Sequence, residues 1–312
     1  MAEAGTDAGS IGKLFAAIGS VWPEHSSYLE RTLAALASDE RPLADAAAAH
    51  VLRIAGADLD TVCADYRFLC ECMVEEQIHF ARHGRYRLAS FSEALAEVYD
   101  NAEFMPRYLN GLLVGRVTWI DQLRMLIFYE REFLPGCRDG YRHLEVGPGH
   151  GLLLHAAAAD PRCAQLAGLD VSASSLEATA VALERLGAAR APELIAHDLL
   201  SPAPPDERRW DSIVVSEVLE HLEAPDRALA RLGELLAPGG RILVTTPVNS
   251  PMPDHIYLFQ NPEQVWELVR AAGLEILESR TFTGVGISEE RARKRRLPIS
   301  CALIARRPED AA

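Results

Sequence analysis

The chain has 312 residues, 49% apolar and 24% charged, which fits a soluble globular protein and is long for a single domain. Its formal net charge of −14 counts against a polyanionic substrate, so no nucleic-acid partner is expected. No run of about 18 apolar residues occurs, and the start, Met1-Ala-Glu-Ala-Gly-Thr-Asp7, lacks the basic and apolar stretches of a signal peptide; the chain is expected to be cytoplasmic, without a membrane partner. The six cysteines (Cys63, Cys70, Cys72, Cys137, Cys163, Cys301) have no paired zinc spacing and are expected as reduced thiols in or near the core.

The first part of the chain predicts helices only. Ala-rich stretches over 26–37 and 43–55 are followed by a longer one over 59–83, with Pro23, Pro42 and Gly56 as breaks between them. Ser90-Phe-Ser-Glu93 has the capping-box pattern, in which the first serine and the glutamate three residues on satisfy each other's free backbone N–H groups. From 103 to 133 apolar residues recur at helical spacing, and Gly111 and Gly115 mark a joint between two helices. Pro135-Gly136 ends the run, which places a helical domain over 1–136.

After Gly140, short β-type runs alternate with helical stretches. Strands are predicted at 143–146, 166–171, 193–196, 212–216, 241–246, 274–282 and 299–305, with helices at 174–186, 226–236 and from the Asn261 cap to 272. Pro238-Gly239-Gly240 is read as a stop between helix and strand. Such alternation calls for a parallel sheet with right-handed crossovers and helices on both faces, its ligand lying at the carboxyl ends of the strands. This second domain is placed at 137–312.

Glu145-Val-Gly147-Pro-Gly149-His-Gly151 lies between the first strand and its helix. Glycines there allow a tight turn and close backbone approach, and the helix N-terminus favours an anionic group. Asp170 ends the second strand, where a carboxylate can accept both hydroxyls of a ribose; Asp198, beside Leu199 after the third, is placed to meet an exocyclic amine. In this order, with Trp210-Asp-Ser-Ile-Val-Val-Ser216-Glu217 and Leu236-Ala-Pro-Gly-Gly240, these residues resemble the class I S-adenosylmethionine (SAM)-dependent methyltransferases over about 141–306. The resemblance implies a Rossmann-like, seven-stranded sheet whose last strand is antiparallel. It also implies SAM as cofactor, with Gly147, Gly149 and Gly151 at its methionine part, Asp170 on the ribose and Asp198 on the adenine amine; Glu145 and Leu199 are further candidate cofactor-binding residues. Ser216 and Glu217 would line the cleft between cofactor and acceptor.

Glu217, Glu220 and His221 are spaced i, i+3, i+4, which on a helical turn points all three to one side. Two carboxylates and an imidazole can hold a divalent cation such as Mg²⁺, or form an acid–base group in which glutamate orients histidine. The segment resembles that of ubiquinone-type O-methyltransferases and of small-RNA terminal methyltransferases, where ExxEH and a later histidine hold a metal; here that histidine is His255, in Pro253-Asp-His-Ile-Tyr257. His221 is the first candidate for a base, with Glu217 and His255 beside it. The expected acceptor is a small molecule methylated on a hydroxyl or carboxylate oxygen, or alternatively a peptide or carrier-bound group. Tyr99, Tyr108, Trp119 and Tyr129 are candidates for its pocket, and the basic run Arg291-Ala-Arg293-Lys-Arg-Arg296 is either a solvated helix face or a docking surface for an acidic partner.

Overall fold

Leucine- and alanine-rich periodicity builds the first part of the molecule, and the computed structural model, which describes residues 9–201 and 208–308, makes it helical as expected. The acidic start at Met1 to Asp7 lies outside the described residues. The helices are α1 (Ser10–Val21), α2 (Ser26–Ala35), α3 (Arg41–Ala55), α4 (Leu59–His83), α5 (Phe91–Ala94), α6 (Phe104–Thr118) and α7 (Ile120–Phe128). α1 is additional to the helices expected from periodicity, the first of which spans 26–37. The capping box forms: Ser90 Oγ accepts from the Glu93 N–H at 3.3 Å, and Glu93 Oε2 accepts from the Ser90 N–H at 3.2 Å.

The joint expected at Gly111 and Gly115 lies instead at Trp119, whose extended backbone (φ −87°, ψ 111°) separates α6 from α7. The two glycines are contact points on a continuous helix. A Cβ on Gly111 would come within 2.6 Å of the Leu69 side chain of α4, and one on Gly115 within 2.7 Å of the Trp119 ring. Their small size lets α6 approach α4 and lets Trp119 fold back over the helix it follows.

The second part is a seven-stranded sheet. Its strands are β1 (Tyr141–Val146), β2 (Cys163–Asp170), β3 (Glu193–Ala196), β4 (Trp210–Ser216), β5 (Leu236–Val248), β6 (Glu275–Thr283) and β7 (Ile299–Arg306). Their order is β3-β2-β1-β4-β5-β7-β6, and β7 runs antiparallel to both neighbours, as the resemblance implied. Between the strands lie α8 (Leu152–Ala159), α9 (Ala173–Leu186), α10 (Pro225–Leu235), α11 (Pro262–Ala271) and α12 (Glu289–Arg295). The predicted Pro238-Gly239-Gly240 stop is a bulge inside β5: pairing with β4 runs from Trp210–Leu236 to Ser212–Arg241, and Gly239 takes φ +70° to absorb the extra residues.

Strand alternation sends side chains to two cores. Leu144, Val146, Ile213, Val215, Ile242 and Val244 pack with α10 and α11 on one face. Val214, Leu243, Ala302 and Ile304 face the other way, against α8 and against Phe128 and Met125 of α7. A third cluster joins α1, α3, α4 and α6 to Leu152 of α8 and to Ala182 and Leu186 of α9, so the helical part and the sheet part share one apolar interior. Among the described residues no helix is long and apolar enough to cross a membrane. Cys63, Cys137, Cys163 and Cys301 are buried free thiols, and Cys70 and Cys72 are half-buried.

Asp211, at the start of β4, is buried. Its carboxylate accepts from the backbone N–H and Nε of Arg142, both at 3.0 Å, and from Arg138. Burial alone would raise its pKa, but the Arg142 bonds and the two guanidinium charges outweigh that and hold it below the usual carboxylate range. Its contribution to stability is therefore present above the ordinary carboxylate pKa and is lost as pH falls through the depressed folded value. Asp211→Asn is expected to lower the unfolding free energy at pH 7 by about 1–3 kcal/mol in urea denaturation. The deficit should shrink as both proteins are taken to acid pH; an unchanged deficit there would contradict this account.

Candidate functional site

The carboxyl ends of β1, β4 and β5 are where backbone leaves the sheet, and a cavity of about 550 Å³ opens over β1, β4 and β5, within the range of small-molecule sites. Its floor includes Glu145, Gly147, Gly149, Ser216, Glu217 and Thr245; its far wall comes from the helices, with Tyr28, Met73, Tyr108, Leu112 and Trp119. Of the aromatic side chains singled out in the sequence, Tyr108 and Trp119 line this space. Tyr99 reaches His221 at its edge, whereas Tyr129 is core, donating to the Leu153 carbonyl at 3.1 Å.

The loop after β1 takes left-handed φ at all three predicted glycines: +65° at Gly147, +52° at Gly149 and +67° at Gly151. Glu145 precedes it, buried, with Oε2 lacking any hydrogen-bond partner, and burial pushes its pKa up to about 8. Asp170 sits at the end of β2, half-buried, its Oδ1 accepting from the Ser172 N–H at 2.8 Å. Asp198 is exposed, its Oδ1 accepting from the Leu200 N–H at 2.8 Å, while Leu199 between them is buried. Ser216 is buried, its hydroxyl 2.9 Å from that of Thr245. Gly147, Gly149, Glu145 and Ser216 thus line the cavity, and the two aspartates lie beyond its walls along the same edge of the sheet.

Glu217, Glu220 and His221 do not share one helical turn. Glu217 leaves β4 with φ +56° while its N–H still donates to the Thr245 carbonyl at 3.0 Å, and only Leu219–His221 winds as a short 3₁₀ turn. Sheet pairing carried one residue past the strand end overrides the helical spacing. Glu217 consequently stands apart, its Oε1 accepting from Thr245 Oγ1 at 3.0 Å and its Oε2 from Gln122 Nε2 at 2.9 Å.

The other three predicted metal ligands converge. Ligand atoms of Glu220, His221 and His255 all lie within 4.8 Å of one another. Glu220 is fully buried; Oε2 accepts from Thr246 Oγ1 at 2.8 Å, and Oε1 has no hydrogen-bond partner. His255 Nδ1 lies 2.6 Å from the Ser250 carbonyl oxygen, and His221 Nδ1 lies 3.2 Å from that of Asp254. A carbonyl only accepts, so each Nδ1 carries the proton and each Nε2 is turned toward Glu220 Oε1, at 4.0 Å from His255 and 3.8 Å from His221. Burial and the neighbouring Glu217 push Glu220 up to about 8, and burial beside His221 takes His255 down to about 3. For His221 burial alone would lower the pKa, but Asp254 and Glu220 outweigh it and raise it.

Three further residues complete the site. Asp254 is buried beside the cluster and accepts from Tyr108 at 2.5 Å and Tyr99 at 3.2 Å. Arg116 and Gln122 flank the α6–α7 corner and reach Glu217 in sequence, Arg116 Nη1 donating to Gln122 Oε1 at 2.7 Å. Asp254 lies in the Pro253-to-Tyr257 segment, next to the candidate ligand His255; Arg116 and Gln122 carry no motif, because a helix corner expected at Gly115, four residues before Trp119, hides which side they face.

Residues 144–242 match a family model described as a methyltransferase domain. The chain is 28% identical over 218 residues to the ubiquinone biosynthesis O-methyltransferase of Burkholderia thailandensis, covering 64% of this chain and 86% of that protein. To the protein of the same name from Leptothrix cholodnii it is 30% identical over 168 residues, covering 53% and 63%. A solved structure of the N-methyltransferase NodS from Bradyrhizobium japonicum, in complex with S-adenosyl-L-homocysteine, superimposes with a TM-score of 0.45 at 20% identity, covering 60% of this chain and 87% of that one.

The glycine loop offers a test with its own control. A Cβ on Gly147 would meet the Val218 side chain at 2.7 Å as well as straining the backbone, whereas one on Gly149 would meet nothing within 4 Å. Gly149→Ala is expected to cost only the left-handed backbone penalty, about 1 kcal/mol, and Gly147→Ala measurably more, as read by thermal or denaturant unfolding. Equal losses would show that the Val218 contact is immaterial.

Proposed function

Because the chain belongs to the SAM-dependent methyltransferase superfamily, we propose that it methylates an oxygen of a small-molecule acceptor, with a divalent cation held by Glu220, His221 and His255 to orient that oxygen. The observation that carries the cation is the buried Glu220 Oε1, which lacks a partner while two imidazole Nε2 atoms face it. Lone pairs from three groups turned toward one point repel unless a proton or a cation stands between them, and a mixed carboxylate–imidazole set suits Mg²⁺, Mn²⁺, Fe²⁺ or Zn²⁺. That the relatives are named ubiquinone biosynthesis O-methyltransferases supports oxygen as the acceptor atom and cofactor metabolism as the setting.

The cofactor fits the residues present. Three left-handed glycines clear space above β1, and Glu145 offers an unpartnered buried oxygen beside them. In this reading Gly147, Gly149 and Gly151 face the methionine part, Asp170 accepts from the ribose, and Asp198 with Leu199 holds the adenine. When bound, SAM supplies a methyl group on an already activated sulfonium. The chain's task is to place the acceptor oxygen and deal with its proton. The helical wall of Tyr28, Met73, Leu112 and Trp119 holds the acceptor body, so residues 1–136 serve the acceptor, while 137–312 hold the cofactor and the groups that orient the acceptor oxygen. The Nδ1 proton of His221 is fixed toward Asp254, which leaves Nε2 to face the cation or, in its absence, a hydroxyl proton.

Without a cation the same geometry makes His221 a general base, a second reading favoured by the backing of Asp254 at 3.5 Å. Exposed Arg291, Lys294 and Arg295 on α12 favour a carrier-bound or peptide acceptor as the alternative to a free small molecule.

Two measurements test this function. Asp170→Ala is expected to weaken S-adenosylhomocysteine binding by about 1.5–3 kcal/mol in calorimetry, and unchanged affinity would remove Asp170 from the site. Chelation is expected to abolish turnover and added Mg²⁺ or Mn²⁺ to restore it; full activity after chelation would eliminate the cation. In that case His221→Ala should still slow turnover by about 10²–10⁴-fold if its imidazole is the base.

A further inference from the structure

Residues 77–88 and 291–298 together hold eight arginines and lysines and no carboxylate, in a chain whose net charge is −14. The first stretch is the end of α4 and the turn after it; the second is most of α12 and the turn after that. Two of the eight are engaged: Arg87 meets Glu76 at 2.7 Å, and Arg293 meets Glu263 at 2.9 Å and Glu289 at 2.7 Å. Arg82, Arg85, Arg291, Lys294, Arg295 and Arg296 are exposed and form no ion pair among the described residues. Like charges brought together repel, so these six do not stabilise the fold by their charge.

The fold joins the two stretches into one patch. The Arg296 guanidinium lies over the Phe80 ring, 5.3 Å from its centre, and one of its nitrogens is 4.0 Å from where a Cβ on Gly84 would stand. Arg296 takes this pose from a left-handed backbone, φ +51°, at the end of α12, where glycine is the unstrained choice. Glycine could not make the cation–ring contact that ties α12 to α4.

The patch adjoins the cavity. Met73, Val74 and Gln77 of α4 line one side of it, and Ile287 and Pro298, which bracket α12, line another. Val74 is nevertheless 59% exposed, so the cavity opens to solvent beside it, and Ile78, one turn on, is 45% exposed. Val74, Ile78 and Arg82 follow at four-residue steps along one face of α4, which gives the mouth an apolar lip with cations just beyond.

Six exposed cations spread over two elements match a broad acidic face better than a single phosphate, which calls for donors converging on a point. The acidic remainder of the chain repels an extended polyanion, so the patch suits a partner of limited footprint. We infer that an acidic carrier protein docks here through its carboxylates, with Val74 and Ile78 under its centre, and presents a tethered acceptor to the cavity. This rests on the methyltransferase reading above and takes the carrier-bound form of the acceptor named there.

The test uses the full chain and, as probe, a fluorescently labelled acyl carrier protein bearing its phosphopantetheine arm, read by anisotropy. Wild type should bind it, and more weakly as salt is raised, since exposed charges are screened. Lys294→Glu/Arg295→Glu should weaken binding about tenfold or more. Arg227→Glu/Arg270→Glu, the same change in net charge at exposed positions of α10 and α11, should stay within about twofold of wild type. Both variants should bind S-adenosylhomocysteine as wild type does, which shows that they are folded. Absence of carrier binding by wild type overturns the proposal, as does an equal loss in the two variants. Equal affinity for phosphopantetheine alone would reduce the patch to a phosphate site, and patch-dependent binding to phosphatidylglycerol vesicles without binding to the carrier would make it a membrane surface; either result overturns the proposal. Failure of wild type to bind S-adenosylhomocysteine would instead remove the methyltransferase reading, and the presentation of an acceptor with it, even where the carrier still binds.

Discussion

The carboxylate of Asp254 takes the hydroxyl of Tyr108 at 2.5 Å and that of Tyr99 at 3.2 Å, deep enough that only 3% of the residue is exposed. Two tyrosines of the helical half thereby grip the loop after β5. Burying a carboxylate is unfavourable unless its lone pairs are met, and here two O–H donors and the nearby His221 meet them. Burial and the same carboxylate push both phenols well above their ordinary pKa, so they remain donors across the working range. Release of this grip would free Asp254, His255 and the support of His221 together. Tyr86, from the segment after α4, adds a further tie by accepting the Ser250 N–H at 3.1 Å.

Around that grip, the site divides by electrostatic task. Toward the glycine loop, the buried Glu145 is kept largely protonated at neutral pH by desolvation, and the Arg116 guanidinium lines the same cavity. Toward the loop after β5, Glu220 and two imidazoles form a donor set without an internal cation. Between them Glu217 is fully engaged by Thr245 and Gln122, which fixes the wall separating the two regions. A cavity that is otherwise apolar makes each of these charges count for more than it would in water.

Much of this was legible in the sequence because periodicity and turn chemistry act locally. The capping box at Ser90, the Asn261 cap, the glycine loop and most strand positions follow from residues within a few places of one another. The errors arose where a distant contact decided the outcome. Gly111 and Gly115 looked like a break and are contact points for Leu69 and Trp119, neither of which local spacing identifies as a partner. Glu217 looked helical and is held by its backbone bond to Thr245, on the next strand. Asp254 and Arg116 acquire their roles only when two halves of the chain meet, and no pattern along either half records that meeting.

The apolar cluster shared by α1, α3, α4, α6, α8 and α9 has a consequence for energetics. Its two sides are also laced by side-chain-to-backbone hydrogen bonds across the join, Arg53 Nη1 donating to the Leu186 carbonyl and Arg185 Nη1 to that of Ile54. Neither side can melt without exposing the apolar surface of the other, so heat should be absorbed in one transition rather than two. Occupancy of the cavity then becomes a property of the whole chain: a nucleoside resting on the sheet would protect the amides of α3 and α4 from exchange, many residues from anything it touches.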